Sequence, residues 1–369
     1  MRIFEELLLI FLGAGASTIY DLKTLQGLTR DLINKMNSAG HGDIIKEIRM
    51  ALKYFGLTPD FENLYTIIEA LQNFKQGVKN SGPLASYIAY KCRNSVSIKS
   101  HPDFKEILRD FRRIIFEECS ISPEKIENQH AIYDELFHLT DVISESRILS
   151  STIGETGKNI GIPASRTIVT TNYDMSIELH FANASIQIAD GFSILGDQYI
   201  KHFDPKNFLK HGNQSNWLIK LHGSIWQFLY KNQFCKSLLD PELLPHRRLK
   251  IKERMMIYPI GEKPILKEPY YTFFKIFKEQ PWQVLVAIGH SFRDLPVNIA
   301  IVENLRRVSQ SILIIVNKEP EKAFNNLGIQ DSIAQKVIRV NGLFGEKETF
   351  RKLRIALQSR SFKQYQGRI

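Results

Sequence analysis

Phe11-Leu12-Gly13-Ala14-Gly15-Ala16-Ser17 is the stretch on which the fold turns. It closes an apolar run, Leu7–Leu12, with two glycines, small residues and a hydroxyl. A run of that kind breaking into Gly-Ala-Gly reads as a strand handing over to a helix through a tight turn. Such a turn brings backbone close to a pyrophosphate, and the next helix start offers N–H donors and a positive dipole end. The same residues also suit plain strand–helix packing. No acidic residue ends a second strand about 20 residues on, so an ordinary dehydrogenase fingerprint is unsupported.

Further short apolar runs lie at Thr167–Thr170, Ile186–Ala189, Leu218–Leu221, Met255–Tyr258, Val284–Ile288, Ile312–Val316 and Val337–Val340. Several are apolar on both faces, as in a parallel sheet covered by helices. The spacing leaves room for crossover helices. Residues 25 to 150 read differently. Asp43–Phe55 is amphipathic, and Asp60 is an N-cap candidate for a helix over Phe61–Phe74. His101-Pro102-Asp103 opens a helix toward Cys119, and Ser122-Pro123-Glu124 opens another through Ile143. Gly154, Gly157, Gly161 and Pro163 punctuate the return to the sheet. The expected fold is α/β: a Rossmann-like, mostly parallel sheet over 1–24 and 162–369, interrupted by a helical insertion over 25–161.

Four more polar motifs stand at the ends of expected strands. Thr170-Thr171-Asn172-Tyr173-Asp174 follows one; an Asx turn and N-cap would account for it equally well. Lys220-Leu221-His222-Gly223-Ser224 carries a histidine suited to taking a proton from a hydroxyl or a water, a position more often structural. Ile288-Gly289-His290-Ser291-Phe292-Arg293-Asp294 lacks the second glycine of a serine-hydrolase elbow. Ile314-Ile315-Val316-Asn317 ends with an amide able to read a ribose hydroxyl. In a doubly wound sheet these ends line one crevice, so the motifs can meet on one ligand.

Composition bounds the function classes. The 369 residues are 43% hydrophobic and 24% charged, which excludes disorder, collagen-like repeats and coiled coil as the main architecture. A formal net charge of +10 favours polyanionic partners. Part of the excess is local: Arg247–Arg254 holds five basic residues around one acid, and Arg351 to the end holds six with none. A solvated face or a nucleic-acid contact would use such segments alike. Cys92, Cys119 and Cys235 form neither a CxxC pair nor a disulfide framework and read as reduced cytoplasmic thiols; no metal site is expected. Leu7–Leu12 is too short to span a bilayer, and Glu5 and Glu6 stand where a signal peptide is basic.

In chain order, Gly13-Ala14-Gly15-Ala16-Ser17, Thr171-Asn172-Tyr173-Asp174, Leu221-His222-Gly223-Ser224, Gly289-His290-Ser291 and Val316-Asn317 resemble the sirtuin, or SIR2-like, family. The resemblance spans nearly the whole chain and is loosest in the helical insertion. It implies the SIR2/DHS-like NAD-binding fold with NAD as substrate. It implies that Gly13, Ala14, Gly15 and Ser17 cradle the pyrophosphate, and that Thr171, Asn172 and Asp174 organise the nicotinamide-ribose end. By the same resemblance His222 is the catalytic base, Gly289 and Ser291 meet phosphate or ribose, and Asn317 meets the adenosine ribose.

Two features depart from the family's protein deacetylases. Three cysteines cannot supply their four-cysteine zinc module, so no zinc is expected. Their Pro-Asp-Phe-Arg segment is replaced by Ile19-Tyr20-Asp21-Leu22-Lys23. The pattern is closer to the prokaryotic branch without zinc, many of whose members degrade NAD in antiviral defence. Asp60-Phe61-Glu62-Asn63-Leu64 resembles that branch's insertion. The implied activity is NAD hydrolysis. A deacylase or ADP-ribosyltransferase, and a non-catalytic NAD- or ADP-ribose-binding module, stand as alternatives. Unchecked NAD loss is toxic, so a gate is expected; a homo-oligomer or a regulatory partner protein would provide one.

Overall fold

The computed structural model describes residues 6–77, 82–95, 98–99, 104–152, 166–194, 199–210, 216–230, 233–237, 253–256, 268–329 and 331–366. Its centre is a seven-stranded sheet. β1 (Glu6–Leu12), β2 (Thr167–Thr170), β3 (Ile188–Ala189), β6 (Asn216–Lys220), β10 (Trp282–Ile288), β11 (Ile312–Asn317) and β12 (Val337–Asn341) take the spatial order β12-β11-β10-β1-β2-β6-β3. Every pairing in it is parallel. From β1 the chain first builds outward through β2 to the β3 edge, then returns to β10 on the other flank. The order therefore reverses between β1 and β10, the position where doubly wound sheets open a crevice beyond their carboxyl ends.

The strands are apolar on both faces because both are covered. Leu8, Ile10 and Leu12 share a core with Val284, Val286, Ile314, Tyr133, Phe137 and Leu353. Leu9 and Phe11 point the other way, into a core with Leu285, Leu313, Phe273, Phe277 and Ile301. This two-residue alternation between two buried layers is what a covered sheet demands.

The stretch after β1 is helical: a one-segment 3₁₀ helix (Ala14–Tyr20), then α1 (Leu25–Ser38), α2 (Gly42–Tyr54), α3 (Phe61–Lys75), α4 (Pro83–Cys92), α5 (Lys105–Cys119) and α6 (Pro123–Thr152). Asp60 caps α3 as expected, accepting from the Asn63 N–H at 2.9 Å. α1 and α4 fall within the stretch expected to be helical, though no start signal marked either one. His101–Asp103 and the Gly/Pro punctuation at 154–163 lie outside the described residues, as do Arg247 and its neighbours up to residue 252.

After β2 come α7 (Ser176–Asn183), α8 (Asn207–Lys210), α9 (Tyr270–Glu279), α10 (Leu295–Arg307), α11 (Pro320–Leu327), α12 (Asp331–Ala334) and α13 (Lys347–Gln366). One expectation is overturned here. Met255 and Met256, which open the apolar run at 255–258, lie on no parallel strand: β9 (Glu253–Met256) pairs antiparallel with β7 (Gly223–Tyr230), and the rest of the run lies outside the described residues. β9 belongs to a second, five-stranded sheet, β4-β5-β8-β7-β9, with β4 (Phe192–Ile194), β5 (Ile200–Phe203) and β8 (Gln233–Ser237). Among the described residues no helix is long and apolar enough to cross a membrane.

Candidate active site

The parallel ladder continues past the strand ends. Gly13 N–H donates to Ile288 O at 2.9 Å, Thr171 N–H to Leu12 O at 3.3 Å and Leu221 N–H to Thr170 O at 2.9 Å. Gly289 N–H donates to Val316 O at 2.8 Å, and Gly342 N–H to Asn317 O at 3.2 Å. All five sequence motifs thus lie along one carboxyl-end rim, on adjacent strands.

The glycines serve this rim directly. A Cβ on Gly13 would lie 2.5 Å from His290 Cα, and one on Gly289 would lie 2.4 Å from Ala16 N. Gly289 also has φ +64, a left-handed conformation that favours glycine. Gly15 N–H donates to Gly289 O at 3.0 Å, and Ala16 N–H to Gly13 O at 2.9 Å. The turns after β1 and β10 are therefore pressed together backbone to backbone. The Ala14 N–H, at the 3₁₀ helix start, has no partner among the described residues.

Beside this turn the second motif forms a buried lock. Asn172 Nδ2 donates to Gly13 O at 2.9 Å and to Ser17 Oγ at 2.8 Å. Ser17 Oγ donates to Asp174 Oδ2 at 2.7 Å. The other oxygen of Asp174 accepts from Ser176 N–H at 2.9 Å, at the start of α7. Ser17 and Asp174 thus brace the loop with their polar atoms. Asn172 Oδ1 has no partner among the described residues, and Asn172 is 9% exposed.

His222 follows β6, next to β2 in register: Thr170 pairs with Lys220. Tyr173, the neighbour of Asn172 in the chain, places its ring 6.3 Å from the His222 ring, centroid to centroid. The His222 ring is buried, and its Nε2 lies 2.6 Å from Asp294 Oδ2. Asp294 also caps α10 through Val297 N–H at 3.3 Å. Asp294, the partner of His222, was given no role in the sequence reading. Its signal was present: an Asp before Leu295-Pro296 is an N-cap, and it sits five residues past a strand-end glycine.

Tyr173 connects the rim to the helical layer. Its hydroxyl donates to Glu62 Oε1 at 3.0 Å, and Phe61 meets its ring edge-on at 6.2 Å. Burial pushes the Asp60 carboxyl up, while the Asn63 N–H and the Arg293 charge draw it back. Ser291 is exposed at the rim, and its carbonyl accepts from Asn326 Nδ2 at 2.8 Å. Asn317 uses both ends of its amide locally, donating to His290 O at 3.0 Å and accepting from Glu319 N–H at 2.9 Å.

Behind the lock lies a buried ionic chain. The Lys220 ammonium donates to Asp174 O and lies 3.3 Å from Glu178. Lys236, on β8, bridges Glu178 at 3.1 Å and Asp190 at 2.6 Å. Burial raises the Glu178 carboxyl, but Lys220 and Lys236 outweigh it and hold the group below its ordinary value. Burial works against the Lys236 charge, and Asp190 and Glu178 more than restore it.

Residues 166–336 match the family model of the SIR2-like domain. The matched segment, which carries β2 to α12 and every rim motif but the first, is a SIR2-like domain. No curated protein matches the chain. Solved structures similar to it include a Sir2 homologue–NAD complex at 15% identity, covering 95% of this chain and 90% of the other, with a TM-score of 0.43. A mutant Sir2 homologue with ADP-ribose is 14% identical over 95% and 93%, also at 0.43. A further mutant homologue, with 2'-O-acetyl ADP-ribose, is 14% identical over 95% and 92%, at 0.43.

Proposed function

We propose that this chain cleaves the nicotinamide–ribose bond of NAD, with water as acceptor, giving nicotinamide and ADP-ribose. One observation carries the reading: Asn172 and His222, past the adjacent ends of β2 and β6, and Asp294, at the start of α10 and paired with His222, are all buried beyond the carboxyl ends of a parallel sheet whose order reverses between β1 and β10.

The residues on the rim divide the work. The Ala14 N–H and the Ser291 hydroxyl would hold the pyrophosphate. Asn172 Oδ1 would accept from a ribose hydroxyl or orient the attacking water. Nicotinamide departs from a pyridinium as a neutral molecule, so no strong acid is required of the chain. Positive charge develops on the ribose instead, and His222 would take the proton of the ribose hydroxyl or the water. Asp294 fixes the ring and stabilises its protonated form. Orientation of both reactants supplies the rest of the acceleration.

The test is incubation of the purified chain with NAD, followed by chromatography for nicotinamide. His222→Ala and Asn172→Ala should each abolish NAD loss while the circular dichroism spectrum is unchanged. Full turnover by both variants would falsify the assignment. As biological setting we propose NAD depletion in antiviral defence. Its check is the NAD content of phage-challenged bacteria expressing the wild type or His222→Ala; equal NAD in both would remove that setting.

A further inference from the structure

Away from the rim, on the face of the sheet covered by α6, three side chains converge that the proposed chemistry does not use. His130 and Asp134 are four residues apart on α6 and so share one helix face. His130 Nδ1 lies 2.8 Å from Asp134 Oδ2. His180, on α7, points at the same carboxylate, its Nε2 3.5 Å from Asp134 Oδ1. The two imidazoles are stacked at a slant, with centroids 4.2 Å apart. One ligand atom from each residue falls within 4.8 Å of the other two.

His180 makes this more than a surface pairing. It is 0% exposed, walled by Tyr133, Phe137 and Phe181, and neither ring nitrogen has a hydrogen-bond partner among the described residues. A buried imidazole without a partner loses the hydrogen bonds it had in water, so the orphaned nitrogen facing Asp134 calls for a ligand. Tetrahedral bonds of about 2.0–2.1 Å set ligand atoms about 3.3 Å apart, close to the spacings seen. Two imidazoles and one carboxylate favour a borderline ion such as zinc over magnesium or calcium. Asp134 is largely exposed, which leaves a fourth position to water. The Arg166 guanidinium, stacked on Phe137, opposes a cation here, and Asp134 is the charge that answers it.

We infer that His130, Asp134 and His180 form a three-ligand site for a divalent transition ion of the zinc class, joining α6 to α7. Because α7 starts two residues after Asp174, the ion would clamp the helix that follows the Asn172–Asp174 lock. The site owes nothing to the cysteines and is independent of the proposed NAD chemistry.

The experiment uses the full chain, stripped with chelator and titrated with Co²⁺ and then Zn²⁺. One equivalent of Co²⁺ should give the visible d–d bands of a tetrahedral ion, without the near-ultraviolet charge-transfer band of a thiolate ligand, and Zn²⁺ should displace it. His130→Gln and Asp134→Asn, both on partly exposed side chains, should weaken binding by 100-fold or more while the helix content holds. His180→Gln is informative if it folds, but the two surface variants decide. Absence of stoichiometric binding, a thiolate band, or unchanged affinity in both surface variants overturns the site.

Discussion

Replacing Asp294 by Asn separates the structural and chemical roles of that residue. Asn is as good an N-cap as Asp, so the bond to Val297 N–H and the start of α10 are retained. The charge facing His222 across 2.6 Å is lost. Hydrogen bonds to charged groups contribute about 1.5–3 kcal/mol and neutral ones about 0.5–1.5. The stability cost is then about 1–1.5 kcal/mol, reduced by relief of a buried charge. The effect on rate is larger. A positioned general base contributes about 10²–10⁴-fold, and a histidine that has lost its orienting carboxylate forfeits much of it. Asp294→Asn should therefore release nicotinamide about 10²-fold more slowly, with KM changed only a few-fold and a urea midpoint lowered by a few tenths of a molar. Asp294→Ala should differ, losing about 1 kcal/mol of cap and about 1–3 kcal/mol from the stranded imidazole. An Asn variant that is folded and turns over at the wild-type rate would remove the His222–Asp294 pair from the chemistry.

Gly289→Ala should destabilise by more than about 2 kcal/mol, since overpacking against Ala16 N adds to a left-handed backbone; chemical denaturation measures it. Lys236→Met leaves Glu178 and Asp190 buried without their shared cation and should cost about 3–5 kcal/mol, read by the same method. The Glu178 carboxyl is held below its ordinary 4.5 when folded. Its contribution is therefore present above about pH 4.5 and lost as pH falls through the folded value. Urea midpoints should drop below that pH, and more shallowly in Glu178→Gln; identical slopes would argue against the ionic chain.

The parallel sheet was legible because its strands are apolar on both faces and end in glycine or polar residues, which few other elements imitate. Asp60 was legible as a cap for the same local reason. The antiparallel sheet was not. Residues such as Ile200-Lys201-His202-Phe203 alternate weakly, and long-range pairing rather than periodicity makes them strands. The run at 255–258 misled because a short apolar stretch does not declare its partner. Of the site, His222 and Asn172 could be read from their place after strands. The pairings could not: Asp294 lies 72 residues from His222, and Ser17 lies 155 from Asn172.

The glycine-rich turn deserved its prominence in the sequence, but for a reason that bears on how the site is prepared. Donors expected to await a phosphate, Gly13 N–H and Gly15 N–H, are already given to Ile288 O and Gly289 O. Thr171, Leu221 and Gly289 are likewise bonded to the adjacent strand end. The rim therefore takes its shape from the sheet rather than from the ligand, and orientation is settled before substrate arrives. Residue-resolved amide exchange separates the two cases. In ligand-free protein the amides of Gly13, Gly15, Thr171, Leu221 and Gly289 should exchange slowly and change little on adding NAD, whereas the Ala14 amide should gain protection. Free exchange at Gly13 and Gly15 that stops only when NAD is added would mean that the ligand builds the turn and the rim is not pre-formed.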